Sequence, residues 1–201
     1  MNNSSLFQGW IRWVLLSLTV MIIFAVIVIR MADQSRAALP EYGAVPEFAF
    51  TNHFGEPITR ADLNGKLHIV DFIFTSCPSA CPVMSKYMAE LYELYKDSDK
   101  VRFLSFSVDP DTDTLPVLRQ YAQRYGVDDD SWIFARGPIE EIKNLSEQGF
   151  MLPADGLPMG HSTKFVLVDE NGNIRGFYDG MDWEKMEVLM AHVQALAKEL
   201  P

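Results

Sequence analysis

The sequence predicts an α/β protein in which a mixed β-sheet is flanked by helices, preceded by one N-terminal transmembrane helix. Three observations indicate this: an uncharged apolar stretch near the N-terminus, alternating strand and helix patterns after it, and a final hairpin followed by a helix. Strand–helix–strand units give parallel neighbours, whereas hairpins give antiparallel ones. The sheet is therefore expected to be mixed.

Composition excludes several classes of protein. The chain has 201 residues, of which 48% are hydrophobic and 22% charged, which is enough apolar material for a buried core. The first thirty residues hold two arginines and no acids, so the remainder carries 15 basic and 27 acidic side chains. This acidic balance disfavours nucleic-acid partners. Two cysteines are too few for a disulfide-stapled fold or a four-cysteine zinc site.

The apolar stretch runs from Trp13 to Ile29 between Arg12 and Arg30. Its 17 residues would span about 25 Å as a helix, close to the lower limit for crossing a bilayer. The hydroxyls of Ser17 and Thr19 can bond to the helix's own carbonyl groups. Charged residues follow the stretch closely, which favours an uncleaved anchor over a signal peptide. The predicted organisation is an N-terminal tail (1–12), a transmembrane anchor (13–30), a linker (31–45) and a globular domain (46–201).

The globular domain is expected to begin with a hairpin formed by residues 47–51 and 57–58. Leu67–Phe74 is a nearly continuous run of strand formers, which is typical of a central buried strand. A helix follows, and two prolines place its start near Cys77 or a few residues beyond.

The second half of the domain alternates in the same way. Val101–Val108 is a predicted strand, and the next helix is capped by Asp113 or Thr114 and stopped by Gly126. The remaining predicted elements are the strand Trp132–Ala135, the helix Pro138–Gln148, the hairpin strands Thr163–Val168 and Ile174–Tyr178, and a final helix from Asp182 to about Leu200. This order is the thioredoxin-like arrangement with additions, in which chemistry is expected beyond the carboxyl end of a central strand.

Cys77 and Cys81 lie at that position, spaced as CxxxC. If the segment is helical, residues four apart share one face, with Cβ atoms about 5–6 Å apart. Two thiolates at this spacing can chelate one metal ion, and they can also form a disulfide. A helix N-terminus favours the thiolate, which is both the metal ligand and the nucleophile. The redox motif of thioredoxins, CxxC, is one residue shorter, so the wider spacing favours chelation.

His161 is the best candidate for a third ligand. It lies in Pro158–Ser162 directly before a strand, where thioredoxin-like folds bring a loop over the redox site. The other histidines are assigned to a hairpin turn, an apolar strand and a helix face: His53, His68 and His192. Two thiolates and one imidazole suit Cu(I) and can also hold Cu(II), whereas zinc would need a fourth ligand. Met84 and Met159 are thioether candidates near the site, although methionine more often serves packing.

Three segments taken together resemble the Sco/SenC family: Asp71–Pro82 with its CPxxCP signature, Ser107–Thr114, and Gly160–Gly172 around the histidine. They occur in order and span most of residues 45–200. The resemblance implies a membrane-anchored, thioredoxin-like copper protein. It further implies a role in assembling the binuclear copper centre of cytochrome c oxidase, by copper delivery, by reduction of the oxidase cysteines, or by both. The expected location is the bacterial inner membrane, with a single span and the soluble domain in the periplasm.

Carried over by position, the resemblance assigns Cys77, Cys81 and His161 as copper ligands, with the two cysteines also forming a redox-active pair. The implied partners are the copper-bearing oxidase subunit, an upstream copper donor and a thiol reductant. Asp109 and Asp113 match acidic family positions, for which partner docking and capping of the turn and helix are both open.

Two functions therefore stay open. The first is a copper metallochaperone that uses all three ligands. The second is a thiol–disulfide oxidoreductase, in which Cys77 and Cys81 cycle and His161 is dispensable. They are compatible, because copper loading requires reduced cysteines. A peroxiredoxin-like peroxidase is disfavoured, since no arginine and threonine pocket can be placed. One departure from the family is that residues 158–160 read Pro-Met-Gly where many members have an acidic residue, which could alter copper affinity.

Overall fold

The computed structural model describes residues 13–26 and 39–200 of a chain that divides into two compact units after Leu39. The first unit contains helix α1 (residues 13–26), which is the described part of the predicted anchor. The last four residues of that anchor, the predicted tail and the start of the predicted linker lie outside the described residues. Across the two described ranges, no helix combines the length and apolarity needed to cross a membrane.

The two hydroxyl side chains of α1 bond to the backbone of the same helix, as the sequence predicts. Ser17 Oγ donates to the carbonyl oxygen of Val14 at 2.8 Å, and Thr19 Oγ1 donates to that of Leu16 at 2.9 Å. The large apolar side chains of this helix are exposed in the structure. The surface of α1 is therefore apolar, with its polar hydroxyls satisfied internally.

The second unit is built on one eight-stranded mixed sheet with the order β1-β8-β7-β4-β5-β6-β2-β3. The strands are β1 (Gly43–Ala44), β2 (Ala49–Asn52), β3 (Pro57–Thr59), β4 (Leu67–Ile73), β5 (Val101–Ser107), β6 (Trp132–Arg136), β7 (Lys164–Val168) and β8 (Asn173–Asp179). Strands β4, β5 and β6 run parallel to their neighbours in that group, and the other pairings are antiparallel. The predicted mixed sheet is confirmed.

Four helices accompany this sheet, and they follow the predicted order: α2 (Ala80–Tyr95), α3 (Leu115–Arg124), α4 (Ile139–Asn144) and α5 (Trp183–Ala197). A short 3₁₀ helix spans Arg60–Leu63, and α4 continues into a π-helical turn, Leu145–Gly149. The predicted cap of the last helix is present, because the side chain of Asp182 accepts a hydrogen bond from the backbone N–H of Glu184 at 2.9 Å. The α/β arrangement is thus the thioredoxin-like one.

Strand β4 occupies the centre of the sheet, between β5 and β7, and all seven of its residues are buried. Its continuous apolar run reflects this burial on both faces. Its carboxyl end leads directly into the segment that carries Cys77. A fully buried central strand therefore positions the first cysteine.

Strand β1 lies inside the segment predicted to be linker. It pairs with β8, and backbone hydrogen bonds from Tyr42 to Ile174 and from Val45 to Gly172, both 2.9 Å long, flank the pairing. Two residues are too few to produce an alternating pattern of polar and apolar positions. This is why the sequence gives no strand signal here.

Candidate metal centre

The two cysteines occupy different structural settings. Cys81 is the second residue of α2, whereas Cys77 lies in the loop before it, ahead of the N-cap residue Ser79. The helix thus begins three residues beyond Cys77, within the range that the two prolines predict, and the two cysteines do not share one helical face. The reason is Pro78, since a residue that precedes proline is driven away from the helical conformation. The two sulfur atoms still lie within 4.8 Å of each other, and the backbone N–H of Cys81 donates to Cys77 Sγ at 3.4 Å.

His161 reaches the cysteine pair from the loop that precedes β7. Its Nε2 lies 3.4 Å from Cys81 Sγ, and its Nδ1 lies 3.0 Å from the carbonyl oxygen of Ser162. A carbonyl oxygen can only accept, so Nδ1 carries the proton and Nε2 keeps a free lone pair. The ring of Phe74 packs edge-on against the imidazole, with centroids 5.4 Å apart. The histidine is thus held in the tautomer and orientation that suit metal binding through Nε2.

The donor atoms of Cys77, Cys81 and His161 all lie within 4.8 Å of one another. This spacing matches two sulfurs and one nitrogen around a single ion, with metal–sulfur bonds near 2.3 Å and metal–nitrogen bonds near 2.0 Å. Among the described residues, these three form the only group of at least three histidine, cysteine or acidic side chains close enough to share a metal. The structure therefore brings together the three residues that the sequence nominated.

The two thiols differ in acidity. Burial alone would raise the pKa of Cys77, but hydrogen bonds from the backbone N–H groups of Cys81 and Ser79 outweigh it and leave the pKa below the ordinary thiol value. Burial raises the pKa of Cys81 far above that value, and the negative charges of Cys77 and Asp71 add to the effect. Burial also lowers the pKa of His161, so its imidazole is neutral at physiological pH. Cys77 is therefore the readier thiolate.

Asp113 holds the cysteine-bearing loop to the neighbouring strand. Its carboxylate accepts hydrogen bonds from the hydroxyl of Thr75 at 2.5 Å, from the backbone N–H of Thr75 at 3.2 Å and from the hydroxyl of Ser107 at 2.6 Å. The side chain is fully buried, and the cap of α3 is Thr114 rather than Asp113. Its role is thus structural, joining the carboxyl ends of β4 and β5. The Asp109 carbonyl accepts from the Asp113 N–H at 2.8 Å, which closes the intervening turn.

The remaining histidines and the two methionine candidates do not belong to the group formed by Cys77, Cys81 and His161. His53 Nδ1 accepts from the backbone N–H of Phe134, His68 Nδ1 lies 3.2 Å from the carbonyl oxygen of Lys66, and His192 Nδ1 lies 2.7 Å from the hydroxyl of Tyr178. Of the two methionine candidates, Met84 is fully buried in the core and Met159 is 65% exposed. Met84 therefore has a packing role.

Asp71 carries a buried carboxyl group and is the one acidic residue in the apolar run of β4. It lies on β4, and neither of its carboxyl oxygens has a hydrogen-bond partner among the described residues. Burial raises its pKa to about 7. A buried ionisable group without partners is costly, which marks this position as unusual within the strand. The apolar run around Asp71 predicts its burial, but no sequence pattern shows that its carboxyl oxygens lack hydrogen-bond partners.

Fold and site together define a thioredoxin-like protein with a candidate metal centre of two thiols and one imidazole. The sequence model of the SCO1/SenC family matches residues 37–198, which is most of the chain. The chain belongs to the SCO1/SenC family, in agreement with the resemblance of its motifs.

Named relatives agree with this assignment. The SCO1 protein homolog of Bacillus subtilis is 31% identical over 157 residues, covering 75% of this chain and 81% of that protein. BsSco is a member of the Sco family of cytochrome c oxidase assembly proteins, and a disulfide switch is identified in it. Its structure matches this one with a TM-score of 0.71 and 29% identity, covering 80% of this chain and 97% of the BsSco chain. Bradyrhizobium japonicum ScoI with copper bound has the same fold, with a TM-score of 0.63 and 24% identity, covering 76% of this chain and 99% of its own.

Proposed function

We propose that this protein is a copper metallochaperone that acts in assembly of the binuclear copper centre of cytochrome c oxidase. The observation that carries the proposal is the convergence of Cys77 Sγ, Cys81 Sγ and His161 Nε2 within 4.8 Å of one another. Two soft sulfurs and one imidazole prefer copper to harder metals, and copper is the metal in the related ScoI structure. The role in oxidase assembly is supported by the description of BsSco.

Copper is the cargo of this site. Cys77 and Cys81 would hold Cu(I) as thiolates, releasing their protons, while His161 binds through Nε2 without changing its protonation. A three-coordinate site leaves room for a further ligand from a receiving protein, so transfer can proceed by stepwise ligand exchange. The buried position of Cys81, at 1% exposure, makes Cys77 the more accessible ligand for that exchange.

Complementation tests this function. In cells lacking the protein, the wild-type chain should restore the copper content and activity of the oxidase, whereas His161→Ala should not. His192→Ala is the matched control, because that histidine bonds to Tyr178 and belongs to no metal cluster. Full restoration by His161→Ala would reject the chaperone role.

A second candidate function is a thiol–disulfide oxidoreductase that keeps the oxidase copper-site cysteines reduced. The contrast in acidity between Cys77 and Cys81 favours it, because a thiol pair of this kind has one attacking and one resolving member. Under this function His161→Ala would still restore the oxidase, while Cys77→Ser and Cys81→Ser would both fail. The same complementation experiment therefore separates the two functions. An upstream copper donor serves the first function, and an external thiol reductant serves both.

We further propose that residues 13–30 anchor the chain in the bacterial inner membrane, with the metal-binding domain in the periplasm. The uncharged, apolar surface of α1 and its internally bonded hydroxyls support the anchor, whereas the choice of membrane and the orientation follow from the family resemblance. The full chain should stay with membranes after an alkaline wash, and added protease should degrade the domain in cells stripped of their outer membrane. Release by the wash, or protection from protease, would contradict the anchor or the orientation respectively.

A further inference from the structure

Met151 has an unusual backbone conformation beside the metal centre. Its φ of 54° is the only positive φ of a non-glycine residue within residues 13–26 and 39–200. Left-handed backbone is unfavourable for a side chain with a Cβ atom, and glycine is the usual residue there. The Met151 side chain is nevertheless large, apolar and 48% exposed. Neither the conformational preference of the backbone nor packing in the core explains why this position carries methionine.

Met151 and His161 both line a surface cavity of about 530 Å³. Its lining is mostly apolar and includes Met151, Leu152, Pro153, Phe177 and His161. His161 thus belongs both to the cavity wall and to the group of residues that could hold a metal ion. Lys164 also lines the cavity, and its ammonium group is paired with the carboxylate of Asp179 at 2.9 Å. The lining of this cavity therefore includes both a thioether-bearing residue and the histidine of the candidate metal centre.

We propose that Met151 is a capture ligand that receives Cu(I) in this cavity and passes it, by way of His161, to Cys77 and Cys81. This inference rests on the proposed copper-binding function. A thioether is a soft ligand that selects Cu(I) and carries no proton, so capture needs no deprotonation. Transfer exchanges the Cu–thioether bond for two Cu–thiolate bonds. The copper stays Cu(I), and the two thiol protons leave to solvent.

Met159 provides a matched control within the same loop region. It is more exposed than Met151, at 65%, and lies only two residues before His161, yet it does not line the cavity. If any exposed thioether near the histidine could capture Cu(I), Met159 would serve at least as well as Met151. A difference between the two residues therefore tests the cavity route rather than methionine content.

The experiment follows the rate of Cu(I) transfer from a bicinchoninate complex to the reduced full chain in mild detergent, without oxygen. We expect Met151→Leu to slow loading by roughly tenfold, while the final Cu(I) affinity changes by no more than about twofold, because the thioether is absent from the final ligand set. Met159→Leu should load at the wild-type rate. Met151→Gly should relieve the backbone strain, raise thermal stability and still load slowly.

A second measurement detects capture directly. In a Cys77→Ser, Cys81→Ser double variant labelled with ¹³C at the methionine methyl groups, Ag(I), a redox-inert analogue of Cu(I), should shift the Met151 methyl resonance and leave that of Met159 in place. Equal loading rates for wild type and Met151→Leu, or equal slowing by Met159→Leu, would overturn the capture role. Failure of the wild-type chain itself to bind Cu(I) would instead overturn the proposed function.

Discussion

Asp113 and Thr75 form a double hydrogen bond, in which the Asp113 carboxylate accepts from both the backbone N–H and the hydroxyl of Thr75. The two residues are 38 positions apart in the sequence, and Thr75 lies two residues before Cys77. A third bond, from the Ser107 hydroxyl, fixes the same carboxylate to the end of β5. The loop that presents the first thiol is therefore positioned by a buried carboxylate on the neighbouring connection.

Asp113→Ala should destabilise the fold and weaken copper binding together. The variant leaves three hydrogen-bond donors at this site without their acceptor, at a cost of about 3 kcal/mol in the free energy of unfolding. Ser107→Ala is the matched control, since it removes one bond to the same carboxylate and leaves the Thr75 bonds in place, costing about 1 kcal/mol. Urea unfolding and Cu(I) competition would measure both effects. Copper affinity equal in the two variants would contradict the positioning role.

Cys77 should react with alkylating agents at lower pH than Cys81. Because the pKa of Cys77 is lowered and that of Cys81 is raised, the thiolate fraction of Cys77 is larger at every pH up to full ionisation. Brief iodoacetamide treatment of the reduced, copper-free chain, followed by peptide mass spectrometry, would give the two profiles. In urea both cysteines should react alike, because the folded environment causes the difference. Preferential labelling of Cys81 in the folded protein would contradict the assignment.

Asp71→Asn should stabilise the copper-free protein at alkaline pH. Since the pKa of Asp71 is raised to about 7 in the folded state, its contribution to stability is fully present below the unfolded value of about 3.9 and is lost as pH rises through 7. The variant should therefore gain up to about 4 kcal/mol near pH 8 and little near pH 4.

The control for this comparison is Asp111→Asn, at an exposed position. His53 and His68, whose pKa values burial lowers to about 4, destabilise the wild type and the variant equally as pH falls below about 6.5, so they cancel from the difference. Urea unfolding at several pH values measures the effect. A stability difference independent of pH would show that Asp71 is not a buried titrating group.

Gly160→Ala should weaken copper binding by moving His161. A Cβ atom at position 160 would collide with the carbonyl oxygen of Asp155, so the turn that precedes the histidine must shift. Met159→Ala is the control in the same turn, because that side chain is exposed. Cu(I) competition should show a loss for Gly160→Ala and none for the control. Unchanged affinity in Gly160→Ala would mean that the turn does not position the imidazole.

The sequence predicted most of the strands and helices of the domain because their patterns are local. The apolar run of β4, the proline in the first turn of α3 and the capping aspartate of α5 each act within a few residues. The sequence also predicts that Cys77, Cys81 and His161 lie close together, because the thioredoxin-like topology places the end of a central strand near the loop before β7. These features depend on the order of the strands and helices and on the spacing of apolar residues, rather than on side-chain packing.

The structural features that the sequence does not predict depend on contacts between distant segments. The partners of Asp113 lie on two other segments, and the isolation of Asp71 reflects the packing around β4. The left-handed backbone of Met151 carries no signal either, since methionine is not a residue typical of that conformation.

A Cu(I) titration of the reduced full chain against a competing chelator, comparing wild type, His161→Ala and His192→Ala, tests the proposed copper centre. We expect one tightly bound Cu(I) per chain, with binding weakened at least about tenfold by His161→Ala and unchanged by His192→Ala. Weak binding by the wild type, or binding indifferent to His161, would contradict a copper centre of two cysteines and one histidine and would favour a thiol reductase.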